Sequence, residues 1–183
     1  MAWAKPAVGL VAAALLAACG GADSEGPRAA GGTEPGAAEG EKPRAADGRF
    51  VRRVDALCES ANPELARINT AILRTRDDAR AGRAGLPQTF RTFATLLRRA
   101  SAVSSRLESR LAQVPAPPAE RAFHKALLES VGRGVANVRR QVAAAESRDA
   151  IALRELSMEG SVLSARTKGL VRGHGGFRFC GQA

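Results

Sequence analysis

Residues 86–114 read LPQTFRTFATLLRRASAVSSRLESRLAQV, and their spacing sets the fold class. Leu86, Phe90, Phe93, Leu97, Ala100, Ser104, Leu107, Leu111 and Val114 recur at steps of three and four, the period that places side chains on one face of an α-helix. A half-buried strand needs strict alternation instead, and no window of the chain supplies it. The spacing predicts a helix from Pro87 to Val114. Proline suits the first helical turn, where its missing N–H has no intrahelical partner to lose. The PAPP segment at 115–118 ends the element and makes a stiff connection.

Similar stripes flank this segment. Phe50, Val54, Leu57, Ala61, Leu65, Ile68 and Ile72 define a first helix. Asn62-Pro63 is a restart signal inside it, giving either a kinked helix or two helices in series. The charged, glycine-bearing stretch 77–85 breaks the pattern. A third helix should start near Pro118 and carry Phe123, Leu127, Val131, Val135, Val138, Val142 and Ala145, with Gly132 and Gly134 allowing a close crossing. After 147–149 a fourth carries Leu153, Leu156, Gly160, Leu163, Thr167 and Leu170, and GHGG (173–176) finishes it. Ser104 and Gly160 are odd residues for a core stripe, so either the register shifts by one there or the helices approach closely. Tyr is absent, the single Trp is Trp3, and Ala, Leu, Val and Arg dominate, which is helix-forming material. Four amphipathic segments joined by short turns bury their stripes together. The expectation is all-α, an antiparallel four-helix bundle over residues 48–183.

The chain begins MAWAKPAVGLVAAALLAAC (1–19), with one charge, Lys5, before an uncharged run from Ala7 to Ala18. As a helix that run spans about 18 Å, short of the ~30 Å hydrocarbon core of a bilayer, and it has the size of a signal-peptide core. A buried N-terminal helix is the rival, but the residues that follow continue no core. Leu16-Ala17-Ala18-Cys19 resembles the lipobox of bacterial lipoproteins. That resemblance implies that 1–18 is a cleaved signal peptide and that the Cys19 thiol carries a diacylglycerol at the mature N-terminus. It also places the protein at the cell membrane, lipid-anchored on the extracytoplasmic side. Two or three acyl chains anchor firmly, at roughly 0.8 kcal/mol per buried CH₂. Gly20 does not decide between membranes in a two-membrane envelope. From Gly20 to Asp47 there is no aromatic, Leu, Ile, Val or Met, and 6 acidic residues face 3 basic ones. Such a segment cannot offset its ordering entropy, so 19–47 is expected as a lipidated, disordered tether with an end-to-end distance of roughly 30 Å.

An extracytoplasmic compartment lets disulfides persist. With Cys19 assigned to the anchor, Cys58 and Cys180 remain as an even pair. Joined, they pin the terminal FRFCGQA (177–183) onto the first helix and close a loop of about 120 residues, for which loop-closure entropy gives roughly 5 kcal/mol. At least one of Phe177 and Phe179 should then pack against that helix. No CxxC or CxxCH occurs. A zinc site would need Cys58, Cys180, His124 and His174 to converge, and their spacing fits no zinc pattern.

No constellation points to catalysis. His124 sits on the edge of the third stripe, as a half-exposed structural histidine would. His174 lies in GLVRGHGGFRF (169–179), a turn into the tail that lacks the strand and the lysine of a phosphate-binding loop. Asp77 and Asp78 are adjacent. Glu155 and Glu159 are one turn apart, but no Glu-x-x-His accompanies them, and Glu155 is expected to pair with arginines such as Arg154. No GxSxG occurs. Catalytic, cofactor-binding and metal residues are therefore not assigned, no cofactor is implied, and the chain is not expected to be an enzyme.

Charge is the remaining unusual quantity. Residues 48–183 hold 22 arginines and 2 lysines against 12 acidic residues, with doublets at Arg52-Arg53, Arg98-Arg99 and Arg139-Arg140 and a pair one turn apart at Arg106 and Arg110. Guanidinium forks suit carboxylates and phosphates, and a basic domain is drawn to polyanions. A GC-rich coding sequence, rich in Ala and Gly as well, yields the same composition and is the reading the sequence favours. Without interleaved aromatics or a helix-turn-helix or finger signature, specific nucleic-acid binding is not expected.

The lipobox, the Gly/Ala/acidic tether, the cysteine in DALCESAN (55–62), PAPPAE (115–120) and FRFCG (177–181) make the chain similar to small helical lipoproteins of high-GC Gram-positive bacteria. The broken fourth stripe and the GHGG segment depart from that pattern, and no activity comes with the resemblance. The expected role is a membrane-anchored interaction or structural module of the cell envelope, contacting an envelope protein or an anionic polymer. The alternative is a binding protein for a small apolar ligand held between the helices. An exposed apolar surface would favour the first and an enclosed apolar cavity the second. The sequence leaves the oligomeric state open.

Overall fold

The computed structural model describes residues 48–181; the expected signal peptide (1–18), the lipidation site Cys19 and the tether lie outside the described residues. Four helices make an all-α bundle: α1 (Gly48–Arg80), α2 (Leu86–Ala112), α3 (Arg121–Glu146) and α4 (Ala150–His174). A single 3₁₀ turn, Pro118–Glu120, leads into α3. None of these helices is long and apolar enough to cross a membrane.

The helices pack in chain order. α2 lies between α1 and α3, and α4 lies against α3, while the backbones of α1 and α4 scarcely approach one another. The residues after α4 bridge those two: Cys180 is bonded to Cys58 of α1, and Gly181 sits against Val171 of α4. At Gly181 φ is +79°, and a Cβ there would lie 3.2 Å from a Val171 methyl, so glycine serves both the backbone and the close approach.

Two apolar clusters fill the bundle. One gathers Ile68 and Ile72 of α1, Phe90, Phe93 and Leu97 of α2, Val138 of α3 and Leu153 of α4. The other gathers Phe50, Val51 and Val54 with Leu111, Leu127, Val171 and Cys180. Between α3 and α4 a polar pair is buried as well. Asn137, fully enclosed, donates from Nδ2 to the Leu156 carbonyl at 3.1 Å and accepts from Gln141 Nε2 at 2.6 Å. Satisfied groups of this kind fix the register of two facing helices.

The restart expected at Asn62-Pro63 does not occur, and α1 runs through it as one helix of 33 residues. Pro63 and Glu59 are both exposed, so water can serve the Glu59 carbonyl that proline leaves without a donor. Two stripes also shift by one residue. Val103 is buried where Ser104 was expected to lead, and Gln141 is buried while Val142 is only half-buried. Gly160 does lie in the interior. At Gly132 a Cβ would meet the carboxylate end of the Glu108 side chain of α2 at 2.9 Å, a side-chain contact and not the close helix crossing expected there.

The turns at the far end share one hydrogen-bond pattern. After α1, Arg83 N donates to Asp78 O at 2.8 Å and Gly82 N to Ala79 O at 3.1 Å. After α3, Asp149 N donates to Ala144 O at 2.9 Å and Arg148 N to Ala145 O at 3.2 Å. Both are Schellman ends with a left-handed residue, Gly82 at φ +68° and Arg148 at φ +59°. Asp149 then caps α4 by accepting from Ala152 N at 2.9 Å.

Candidate functional site

The expected disulfide forms, with the α-carbons of Cys58 and Cys180 5.2 Å apart. A second fastening, not anticipated, lies one turn earlier. The Asp55 carboxylate is 7 % exposed and accepts three successive backbone N–H groups of the tail, Arg178 at 3.0 Å, Phe179 at 2.8 Å and Cys180 at 2.9 Å. Three donors converging on an ionised carboxylate make strong, charge-assisted bonds. Asn62 adds a third tie, donating from Nδ2 to Phe179 O at 3.2 Å. Asp55, Cys58 and Asn62 are spaced i, i+3, i+7, so one face of α1 holds the whole clasp.

Both histidines belong to this end. His124 is buried rather than half-exposed, and its Nε2–H donates to Leu111 O at 2.9 Å, joining Val114 N at 3.0 Å on a carbonyl in the last turn of α2. His174 donates from Nε2 to Glu120 Oε2 at 2.6 Å. The His174 ring lies 4.0 Å from that of Phe123, on which Phe177 stacks at 5.5 Å. Phe177 thus packs in the cluster that holds Phe50 and Val54 of α1. Cys58, Cys180, His124 and His174 do not come together as a metal site, and no group of three His, Cys, Asp or Glu that could hold a metal occurs among the described residues.

The arginine surface is partly occupied by ion pairs between helices. Arg98 pairs with Glu146 at 2.6 Å, Arg106 with Glu64 at 3.4 Å, and Arg140 with Glu159. Glu159, rather than Glu155, is therefore the α4 carboxylate that takes an arginine, because it faces α3. All six side chains are well exposed, so each pair contributes about 0–1 kcal/mol and orients the surface more than it stabilises it.

Two features remain that the clasp and the cores do not use. The first is a partly open cavity of about 130 Å³ among α2, α3, α4 and the tail. Leu107, Val131, Val135 and Leu163 give it apolar walls, while Ser104, Ser130, Ser164 and Thr167 contribute hydroxyls. Ser130 and Thr167 are bonded to each other at 2.7 Å, and Thr167 donates on to Leu163 O at 3.0 Å. Ser164 Oγ is buried with no hydrogen-bond partner. The sequence signal for this cavity was Ser104, a small polar residue on an apolar stripe.

The second feature is the outer face of α4. Ile151, Met158 and Val162 are 73, 49 and 51 % exposed. Their spacing of seven and four puts them on one side of the helix, opposite buried Leu153, Ser157, Gly160 and Leu163. Arg154 and Arg166, both exposed, flank the stripe.

The chain matches no protein-family model, no curated protein and no solved structure.

Proposed function

We propose that the protein is a lipid-anchored, extracytoplasmic interaction module of the cell envelope, held to the membrane through Cys19 and docking a protein partner on the outer face of α4. The exposed apolar stripe Ile151–Met158–Val162 carries this reading. Large aliphatic side chains lined up along a helix and turned away from the core mark a contact surface more than single exposed residues do. The stripe is about 16 Å long at the α-helical rise, and its flanking guanidinium groups select a partner whose apolar patch is edged with carboxylates. The surplus of arginine over acidic residues across the domain favours the same choice.

The reading is tested by crosslinking the intact lipoprotein in its own membrane, alongside Met158→Glu and Val162→Glu variants whose changes lie at the surface. A crosslinked product present in the parent and lost in both variants is the expected outcome. A product that persists unchanged in the variants overturns the α4 face as the site. Binding that instead disappears steeply with added salt and ignores the substitutions assigns the contact to an anionic polymer. Release of a Cys19→Ala chain from the membrane fraction is expected of the anchor, and its retention there would remove the lipid from the account.

A further inference from the structure

The docking surface on α4 is graded in size, and the grading narrows the partner. Ile151 and Met158 project from its N-terminal half, whereas Ala165 and Gly169, both exposed, leave the C-terminal half low. A Cβ added at Gly169 would meet nothing within 4 Å, so bare backbone is open there to another chain. Residues 151 and 169 are about five helical turns apart and share one line along the helix. Met158 and Val162 lie on either side of that line, each two residues from its midpoint at Gly160.

Such a row complements its own reverse. Laid antiparallel, two copies set Ile151 of each over Gly169 of the other and Met158 beside Val162. Large side chains then fill low ground, and the helices approach to the ~8–10 Å of packed pairs. A parallel pair would stack Ile151 on Ile151 and leave Gly169 facing Gly169. Charge agrees with the antiparallel register. Glu155 and Arg166 lie on the same flank of the row, five residues before its midpoint and six after it. Both are exposed, and neither enters an ion pair among the described residues. A two-fold axis at the midpoint brings Glu155 of each copy beside Arg166 of the other, giving two equivalent ion pairs. Arg154, on the other flank, comes opposite Ala165 and so meets no like charge.

We propose that the partner at the α4 face is a second copy of this chain, bound helix to helix and antiparallel about a two-fold axis level with Gly160. The inference rests on the docking role of that face and adds the identity and register of what docks. The surplus of arginine across the domain opposes self-association at long range, but salt screens it beyond about 8 Å under physiological conditions, whereas the two ion pairs act at contact. One helix face is smaller than the roughly 800 Å² that each partner gives a standard interface, so the pairing is transient and is best captured in place.

Photocrosslinking in intact cells tests this. The full chain is produced in two differently tagged copies, each with a diazirine-bearing aliphatic side chain at position 151, and irradiated. A product carrying both tags, joined from 151 to residues 165–172, is the expected result. Glu155→Arg and Arg166→Glu, both at the surface, should each lower its yield at least about fivefold, since either change turns two attractions into two repulsions. The two variants should nevertheless pair with one another, because the mixed pair restores opposite charge at both contacts. Recovery in that mixture also shows that both variants fold. A doubly tagged product joined at 148–155, one that Arg166→Glu leaves at the parent level, or a mixture that does not recover overturns the proposal. A product with a different protein, lost in Met158→Glu, overturns self-pairing while the α4 face keeps its docking role. No product of either kind overturns both.

Discussion

At the end of the bundle where α1 begins and α4 stops, the polypeptide is tied back on itself by a disulfide, a three-fold carboxylate contact and a hydrogen bond from the Asn62 side-chain amide. At the opposite end, α1 passes to α2 and α3 to α4 through short turns closed by backbone hydrogen bonds and local side-chain bonds such as the Asp149 cap, with no covalent link. The difference follows from packing. α2 and α3 each have a helix on both sides, whereas α1 and α4 leave a gap between their backbones. A tail of a few residues cannot bury enough apolar surface to hold itself in such a gap. Covalent and ionic fastenings replace the area it lacks.

The largest expected effect breaks the clasp covalently. Replacing Cys58 and Cys180 together by Ala should lower the unfolding free energy in urea by about 4 kcal/mol, and amide exchange of residues 178–180 should accelerate more than that of the far-end turns. If those three amides stay protected without the disulfide, the carboxylate holds the tail unaided and the two fastenings are redundant.

A smaller loss isolates the ionic fastening. Asp55→Asn keeps the shape but exchanges one acceptor oxygen for an NH₂ that faces backbone donors. With the disulfide intact it should cost about 2–3 kcal/mol, the range for a hydrogen-bonded charged group left mismatched. Unchanged stability in chemical denaturation would mean that the tail is held by sulfur alone.

The smallest effects belong to the far end and have opposite signs. Arg148 occupies the left-handed position that Gly82 occupies in the matching turn. Arg148→Gly should therefore raise stability by about 1 kcal/mol, and Gly82→Ala should lower it by about the same. A Cβ at position 82 meets nothing within 4 Å, so the second change reports backbone conformation only. A loss in both variants would show that the Arg148 side chain does something the turn requires.

The helices were legible because their apolar residues repeat at three and four, and that repeat survives errors of one residue such as Ser104 for Val103. The disulfide was legible from cysteine number once Cys19 was set aside. Asp55 and Asn62 were not, since a polar residue on an amphipathic helix normally faces water, and no local signal says that a tail more than a hundred residues later will cover it. Asn137 and Gln141 escaped for the same reason, because burial of an amide becomes visible only when its partner carbonyl on another helix is known. The α4 stripe was hidden by its own composition. Apolar residues on both sides of a helix blur the periodic contrast, so Ile151, Met158 and Val162 did not stand out beside the inner stripe of Leu153, Gly160 and Leu163.

The clasp also has a consequence in time. Residues 178–180 follow all four helices in the chain, and they are fastened to Asp55 and Cys58, near the start of the first helix. The seam between α1 and α4 therefore stays unsealed until all four helices have been made and an oxidant is at hand. A chain cut before Arg178 would present Asp55 without these three donors and a free thiol at Cys58 however well its helices had formed. The clasp thus makes closure of the first helix wait on the residues that follow the fourth.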